Sequence, residues 1–171
     1  LMEKICYVAT IPFAVHVFLR GHVQAAANKY EVTAICNSTN ANLLNGLKAH
    51  RIQLDIERKP SPLKDAQALA RLYMLFRRDQ FDIVHSIMPK TGLLAMLTGL
   101  LARVPNRIHT FTGQVWANKK GWKRQVLKLF DKLIVLFATQ ILVDSPSQLD
   151  FLLAEGVLPK GKGMVIRDGS I

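Results

Sequence analysis

Several short runs in this chain are apolar through most of their length instead of strictly alternating with polar residues: Ile5-Cys-Tyr-Val-Ala, Val32-Thr-Ala-Ile-Cys, Phe81-Asp-Ile-Val and Ile141-Leu-Val. Each is followed by a segment with helical periodicity. A strand that is apolar on both sides must be buried on both, which is the position of strands in a parallel sheet covered by crossover helices. The sequence therefore predicts an α/β fold, a doubly wound and mostly parallel sheet. Its 171 residues suffice for one well-buried core, so 1–171 is read as a single domain.

In order, strands are expected over 4–9, 31–36, 52–56, 81–84, 107–111, 140–144 and 163–166. Helices are expected over 15–28, 43–49, from Pro60-Ser-Pro to Arg78, 93–103, about 120–138, and 146–154. No repeat, low-complexity tract or interior linker interrupts the pattern.

The joint FDIVHSIMPKTG, residues 81–92, runs a strand into a polar exit at His85 and Ser86 and then into a helix opening near Thr91. In open α/β sheets, ligands bind outside the carboxyl ends of strands. A helix start there offers free N–H groups to a phosphate or carboxylate, with Lys90 adding charge. Plain turn chemistry explains the same residues. Other strand ends add Thr10 and His16, residues 37–40, the segment from His109 through Thr112, Gly113 and Gln114, and Asp144-Ser145. These converge on one rim if the sheet is parallel, and Gly113 would let backbone approach a ligand closely.

The turn after the first strand is Thr10-Ile-Pro-Phe-Ala, which lacks the glycines of a dinucleotide fingerprint. There is also no Walker A loop, no Gly-x-Ser-x-Gly elbow and no metal-ligand spacing. No cofactor or metal is expected. Cys6 and Cys36 read as reduced core thiols in a reducing compartment. The run 5–19 is broken by Pro12 and His16 and is not a leader, and no stretch has the ~20 apolar residues of a membrane span.

A formal charge of +11 points to an anionic partner. On the segment 116–137, Trp122, Val126, Leu129, Phe130, Leu133 and Phe137 make one apolar stripe, and Lys120, Arg124, Lys128 and Lys132 recur on the other side. Two accounts fit: a packed helix with a solvated basic face, or a helix at an anionic membrane surface with Trp116 and Trp122 at the headgroup level. Nucleic acid is disfavoured, because no recognition-helix or aromatic-basic platform is present.

Three blocks, KICYVATIP with FLRGH, FDIVHSIMPKTGLLAMLTGLLARVPNRIHTFTGQVW, and ILVDSPSQLDFLLAEGV, resemble the amino-terminal domain of bacterial family 4 retaining glycosyltransferases of the GT-B fold, the O-antigen and capsule type. The resemblance spans nearly the whole chain. It implies a Rossmann-like acceptor-side domain facing a separate donor-binding domain that lies outside residues 1–171. It carries His85, Pro89, Lys90 and Gly92 onto the family's His-x-His-x-Pro-Lys-x-Gly pattern, with Ile87 in place of the second His. Pro12-Phe13-Ala14 replaces the frequent Gly-Gly, and Asp168-Gly169 stands where Asn-Gly is usual.

The resemblance further implies transfer of a sugar from a nucleotide-sugar to a lipid-linked saccharide acceptor by a cytoplasmic protein peripheral on the inner face of the bacterial plasma membrane. His109 is the expected hydrogen-bond partner of the transferred sugar. His16, His85, Lys90, Thr112, Gly113 and Gln114 would line the acceptor side, and Trp116, Lys120, Trp122, Arg124 and Lys128 the membrane surface. A nucleotide-sugar 2-epimerase-like domain and a non-catalytic membrane-docking module remain alternatives.

Overall fold

The structure, a computed structural model, describes residues 2–37, 46, 48–57 and 61–166. Seven strands form one sheet: β1 (Lys4–Val8), β2 (Glu31–Cys36), β3 (His50–Gln53), β4 (Ile83–Ile87), β5 (Asn106–Phe111), β6 (Gln140–Val143) and β7 (Gly163–Val165). Every pairing is parallel, in the order β3-β2-β1-β4-β5-β6-β7. The doubly wound α/β expectation holds. The strand order reverses between β1 and β4, and that topological switch point is where such sheets open a crevice for ligands.

The first helical stretch begins at Pro12, earlier than expected. It consists of α1 (Pro12–Ala14), a π-helical segment (Val15–Leu19) and α2 (Arg20–Ala26). Proline at the start costs nothing, because the N–H it lacks would have had no helical partner. With Ala14, Val15, Leu19 and Val23 this stretch covers one face of β1 and β2, packing on Ile5, Tyr7, Val32 and Cys36. The helices α3 (Pro62–Asp79), α4 (Pro89–Leu101), α5 (Gly121–Phe137) and α6 (Pro146–Ala154) pack their buried residues on the opposite face. There Leu72, Phe76, Met96, Ile134 and Leu152 meet Cys6, Val84, Phe111 and Val143. Each such side chain contributes about 1.5–3 kcal/mol of apolar burial.

Burial explains α4, which is apolar nearly all round. It lies between α3 and α5 and over the sheet, so a single stripe would not suffice. β3 pairs two residues earlier than the expected 52–56, and Leu54 and Ile56 remain buried beyond its end. The helix expected over 43–49 falls largely outside the described residues. Cys6 and Cys36 are free and lie in cores on opposite faces of the sheet, so no bridge joins them.

Candidate functional site

Two cavities open at the carboxyl ends of the strands. One, about 460 Å³, sits at the switch point between the chain leaving β1 (Ile11, Phe13, Phe18) and the start of α4 (Met88, Pro89). The other, about 410 Å³, lies by the end of β6 and the start of α6, walled by Asp144, Ser145, Gln148 and Phe151. Thr112, Gly113 and Gln114, leaving β5, line both. These three expected site residues are brought together as the ridge between a cavity walled by apolar side chains and one whose walls carry several polar side chains.

The backbone at this ridge and beside it is unusual. Gly113 has φ 135, where a side chain would be strained. Met88 has φ 75 and ψ 143, a region essentially reserved for glycine, and such strain concentrates at ligand sites. Beneath the crevice, the Thr10 and Thr91 hydroxyls share a buried hydrogen bond of 2.6 Å, tying the exit of β1 to the first turn of α4.

The two strand-end histidines do not form one site. In the β4/β5 register His85 stands opposite Ile108, while Ser86 stands opposite His109, so the imidazoles project to opposite faces of the sheet. His85 Nε2 meets Thr110 Oγ1 at 2.8 Å, with the Tyr7 ring 5.3 Å away. His109 Nδ1 meets Ser86 Oγ at 2.8 Å. It fills the space that Gly92 leaves on α4: a Cβ there would stand 2.4 Å from His109 Cε1. His109 is 0% exposed, and desolvation first, then the neighbouring imidazole, lowers its pKa to about 3; burial and His22 do the same to His85. Both rings are neutral packing groups at neutral pH. His109 lies buried under α4, with its Nε2 lacking a hydrogen-bond partner among the described residues, and His85 likewise lies beneath the rim.

Lys90 is also redirected. Its Nζ pairs with Asp65 Oδ1 at 2.6 Å, so its charge is committed to joining α3 and α4. His16 lies on the π-helical segment, where its Nδ1 accepts from Arg20 Nη1 at 3.2 Å. Its neighbours Phe13, Ala14 and Phe18 line the apolar cavity instead.

The largest correction concerns α5. Trp116 is 0% exposed and stacks on Phe151 at 5.3 Å, and its Nε1 donates to the buried Asp131 Oδ2 at 2.7 Å. It anchors the loop behind the ridge and reaches no membrane. Arg124 and Lys128 face inward too, lying 5.1 and 5.6 Å from the Trp116 ring centre and donating to Glu155 at 2.7 and 2.6 Å. These two bonds hold the Glu155 carboxyl below its usual range. The charges of Arg124 and Lys128 cover the ring face of Trp116, while Ile134 and Val135 supply the buried apolar contacts of α5. Much of the apolar stripe instead points outward: Trp122 is 72% exposed, and Val126, Leu129 and Phe130 are exposed with it, near exposed Lys119, Lys120, Lys123 and Lys132, whereas Leu133 is half-buried and Phe137 packs against the core.

The strand-end rule already pointed to Asp144 and Ser145. Nothing in the sequence singled out Gln148, Phe18 or Met88, which a helix or loop brings in from the side. Asp131 left a usable signal, as a lone acid among basic and apolar residues. Among the described residues, no His/Cys/Asp/Glu group is placed to hold a metal ion, and no helix is long and apolar enough to cross a membrane.

Comparison with known proteins adds a family. The model of the glycosyl transferase 4-like domain matches residues 15–169. A capsular polysaccharide biosynthesis glycosyltransferase of Staphylococcus aureus, CapM, is 25% identical over 168 residues, covering 98% of this chain and 44% of its own. The UDP-Gal:alpha-D-GlcNAc-diphosphoundecaprenol alpha-1,3-galactosyltransferase of Escherichia coli is 36% identical over 83 residues, 48% of this chain and 21% of its own. The chain thus spans less than half the length of these relatives. The crystal structure of Anabaena Alr3699/HepE in complex with UDP superposes with a TM-score of 0.74 at 13% identity, covering 98% of this chain and 44% of that one, a likeness of fold alone.

Proposed function

The chain belongs to the glycosyl transferase 4-like domains, and from that premise we propose that it is the acceptor-side half of a retaining glycosyltransferase that moves a sugar from a nucleotide-sugar to a lipid-linked saccharide in surface-polysaccharide synthesis. The observation that carries the reading is the ridge of Thr112, Gly113 and Gln114, set between a cavity walled by apolar side chains at the switch point and one whose walls carry Asp144, Ser145, Ser147 and Gln148. An acceptor with an apolar lipid and a polar sugar is amphipathic in the same sense. In the intact enzyme the ridge orients the acceptor hydroxyl toward a donor held by the opposing domain, so that proximity does much of the catalytic work. His109 acts from below: it fixes the end of β5 against Ser86 and the first turn of α4, and so the height of the ridge.

Titrating the 171-residue chain with N-acetylglucosamine α-diphosphate on a short alkyl chain, and separately with UDP-galactose, tests this. The expected result is amide shifts at Thr112, Gly113 and Gln114 and an affinity for the alkyl diphosphate about tenfold higher or more, a difference of about 1.4 kcal/mol. Tighter binding of the nucleotide-sugar at the same residues would remove the acceptor-side reading and favour the single-substrate, epimerase-like one.

The outward row of α5 gives the same domain a membrane face. Trp122, Leu129 and Phe130 would enter the headgroup boundary, and Lys119, Lys120 and Lys123 would face anionic lipid, at about 1 kcal/mol per cation. The chain is expected to sediment with phosphatidylglycerol-containing vesicles and not with purely zwitterionic ones. Trp122→Asp together with Leu129→Asp should abolish this without lowering the melting temperature, since both side chains are exposed. Undiminished sedimentation of that variant would eliminate the membrane face. Vesicle binding without acceptor binding would favour a non-catalytic docking module.

A further inference from the structure

The cavity beside α6 contains an unbalanced pair. Gln114 and Asp144 both line it, and Gln114 Nε2 and Asp144 Oδ1 are buried with no hydrogen-bond partner among the described residues. Gln148 explains how they are left over. Its Oε1 accepts from the Asp144 backbone N–H at 2.8 Å, and its Nε2 donates to Gln114 Oε1 at 3.4 Å. One side-chain amide thus uses the carbonyl end of Gln114 and turns the N–H end away from it. Leaving such a donor and acceptor unpaired is costly, so the pair favours a ligand that satisfies both.

The chemistry of that ligand follows from the two atoms. A carboxylate or phosphate accepts from Gln114 but meets the Asp144 carboxylate with like charge. An ammonium pairs with Asp144 and has nothing to accept from Gln114. A neutral hydroxyl does both, accepting one hydrogen bond and donating another. The remaining walls suit a sugar: the Ser145 and Ser147 hydroxyls offer further polar contacts, and Phe151 offers an apolar face. Both Gln114 and Asp144 are half-buried as whole side chains, so a modest rotation presents their covered atoms.

We propose that this cavity is a saccharide subsite in which Gln114 Nε2 and Asp144 Oδ1 bracket one ring hydroxyl of the acceptor sugar, and that this pair selects the acceptor's configuration at that carbon. The diphosphate and lipid are then directed away from Asp144, over the ridge to the apolar cavity by β1 and α4. The inference rests on the acceptor-side reading and adds to it the position of the sugar and the two side chains that discriminate it.

The test is a cycle between protein variants and ligand analogues. The probe is the alkyl N-acetylglucosamine α-diphosphate used above, with monodeoxy analogues at each free ring hydroxyl, titrated calorimetrically into the chain and into Gln114→Ala and Asp144→Ala. One deoxy analogue is expected to bind the unmodified chain about tenfold more weakly than the parent or worse, since it loses both the bond accepted from Gln114 and the bond donated to Asp144. Each variant should lose part of that factor for the parent, and the analogue should cost each variant clearly less than it costs the unmodified chain, because groups sharing one interaction are not additive.

The subsite is overturned if the parent binds both variants as it binds the unmodified chain, or if the losses from variant and analogue simply multiply. No binding of the parent by the folded, unmodified chain would overturn the acceptor-side reading together with it. Gln114→Glu guards against an alanine variant that melts early. It keeps the side-chain size, removes the donor and adds a negative charge beside Asp144, so it should lose at least as much as Gln114→Ala, and normal parent binding by it would count against the subsite.

Discussion

Replacing Trp116 with alanine is expected to lower the unfolding free energy by roughly 3–5 kcal/mol, the range for truncating a large buried aromatic. Trp116 is the largest fully buried side chain and is held in three ways: by the stack on Phe151, by the bond from its N–H to Asp131, and by the cationic ends of Arg124 and Lys128 over its ring. Removing it empties the space between α5, α6 and the loop, and leaves Asp131 buried without its donor. The ridge at Thr112, Gly113 and Gln114 lies a few residues upstream, so its amide resonances should broaden and the acceptor probe should bind more weakly. Trp116→Phe keeps much of the stack and loses the N–H bond, and its cost should fall to about 1–3 kcal/mol. Urea unfolding of the three proteins decides this; an alanine variant that unfolds with the unmodified chain would mean that Trp116 does not hold the loop.

The second expected effect is a pH dependence that belongs to Asp131. Burial raises its pKa from 3.8 to about 6, against the opposing pull of the Trp116 N–H. The folded state therefore binds a proton more tightly than the unfolded state does. The stability this confers is fully present below 3.8 and is lost as pH rises through about 6. At about 1.4 kcal/mol per tenfold change in proton affinity, the whole effect is roughly 3 kcal/mol, of which about 1–2 falls between pH 5 and pH 8.

Asp131→Asn retains a carbonyl to accept from Trp116 and cannot ionise. The variant should thus gain about 1–2 kcal/mol on the unmodified chain as pH goes from 5 to 8, whatever its offset at either value. Comparing the two proteins cancels the opposite contribution of His85 and His109. Their lowered pKa values give stability that is present above their ordinary 6.5 and lost as pH falls toward 3. A difference between variant and unmodified chain that stays constant across this range would show that Asp131 does not titrate near 6.

The parallel sheet was legible because its evidence is local. An apolar run such as Ile5 to Ala9 has no face to give to solvent, and that determines a doubly covered strand whatever lies around it. The rim was legible for a related reason. Once strands are parallel their carboxyl ends share one edge, so Thr112, Gly113, Gln114 and Asp144 could be placed together from their positions alone. The depth of His109 was not legible, because strand-end position does not say on which side of the sheet a residue projects or how deep it lies; the register that sets it against Ser86 and under Gly92 is a property of β4, β5 and α4 together. Lys90 was misplaced because its partner, Asp65, lies 25 residues away on another helix.

α5 marks the limit most clearly. Helical spacing alone determined that it has an apolar face and a basic face, because 3.6 residues per turn sorts Trp122, Val126 and Leu129 from Arg124 and Lys128. Which face turns inward was decided elsewhere, by Trp116 on the preceding loop and Glu155 after α6, which give two cations a ring to cover and a carboxylate to bind. The sequence by itself determined the strands, the helices, the direction of the sheet and the edge at which ligands meet it, since backbone periodicity and apolar burial act over a few residues. Only the tertiary structure decided which polar side chains stay at that edge and which are spent on one another, because hydrogen bonds and ion pairs are settled by neighbours that the chain brings together from far apart.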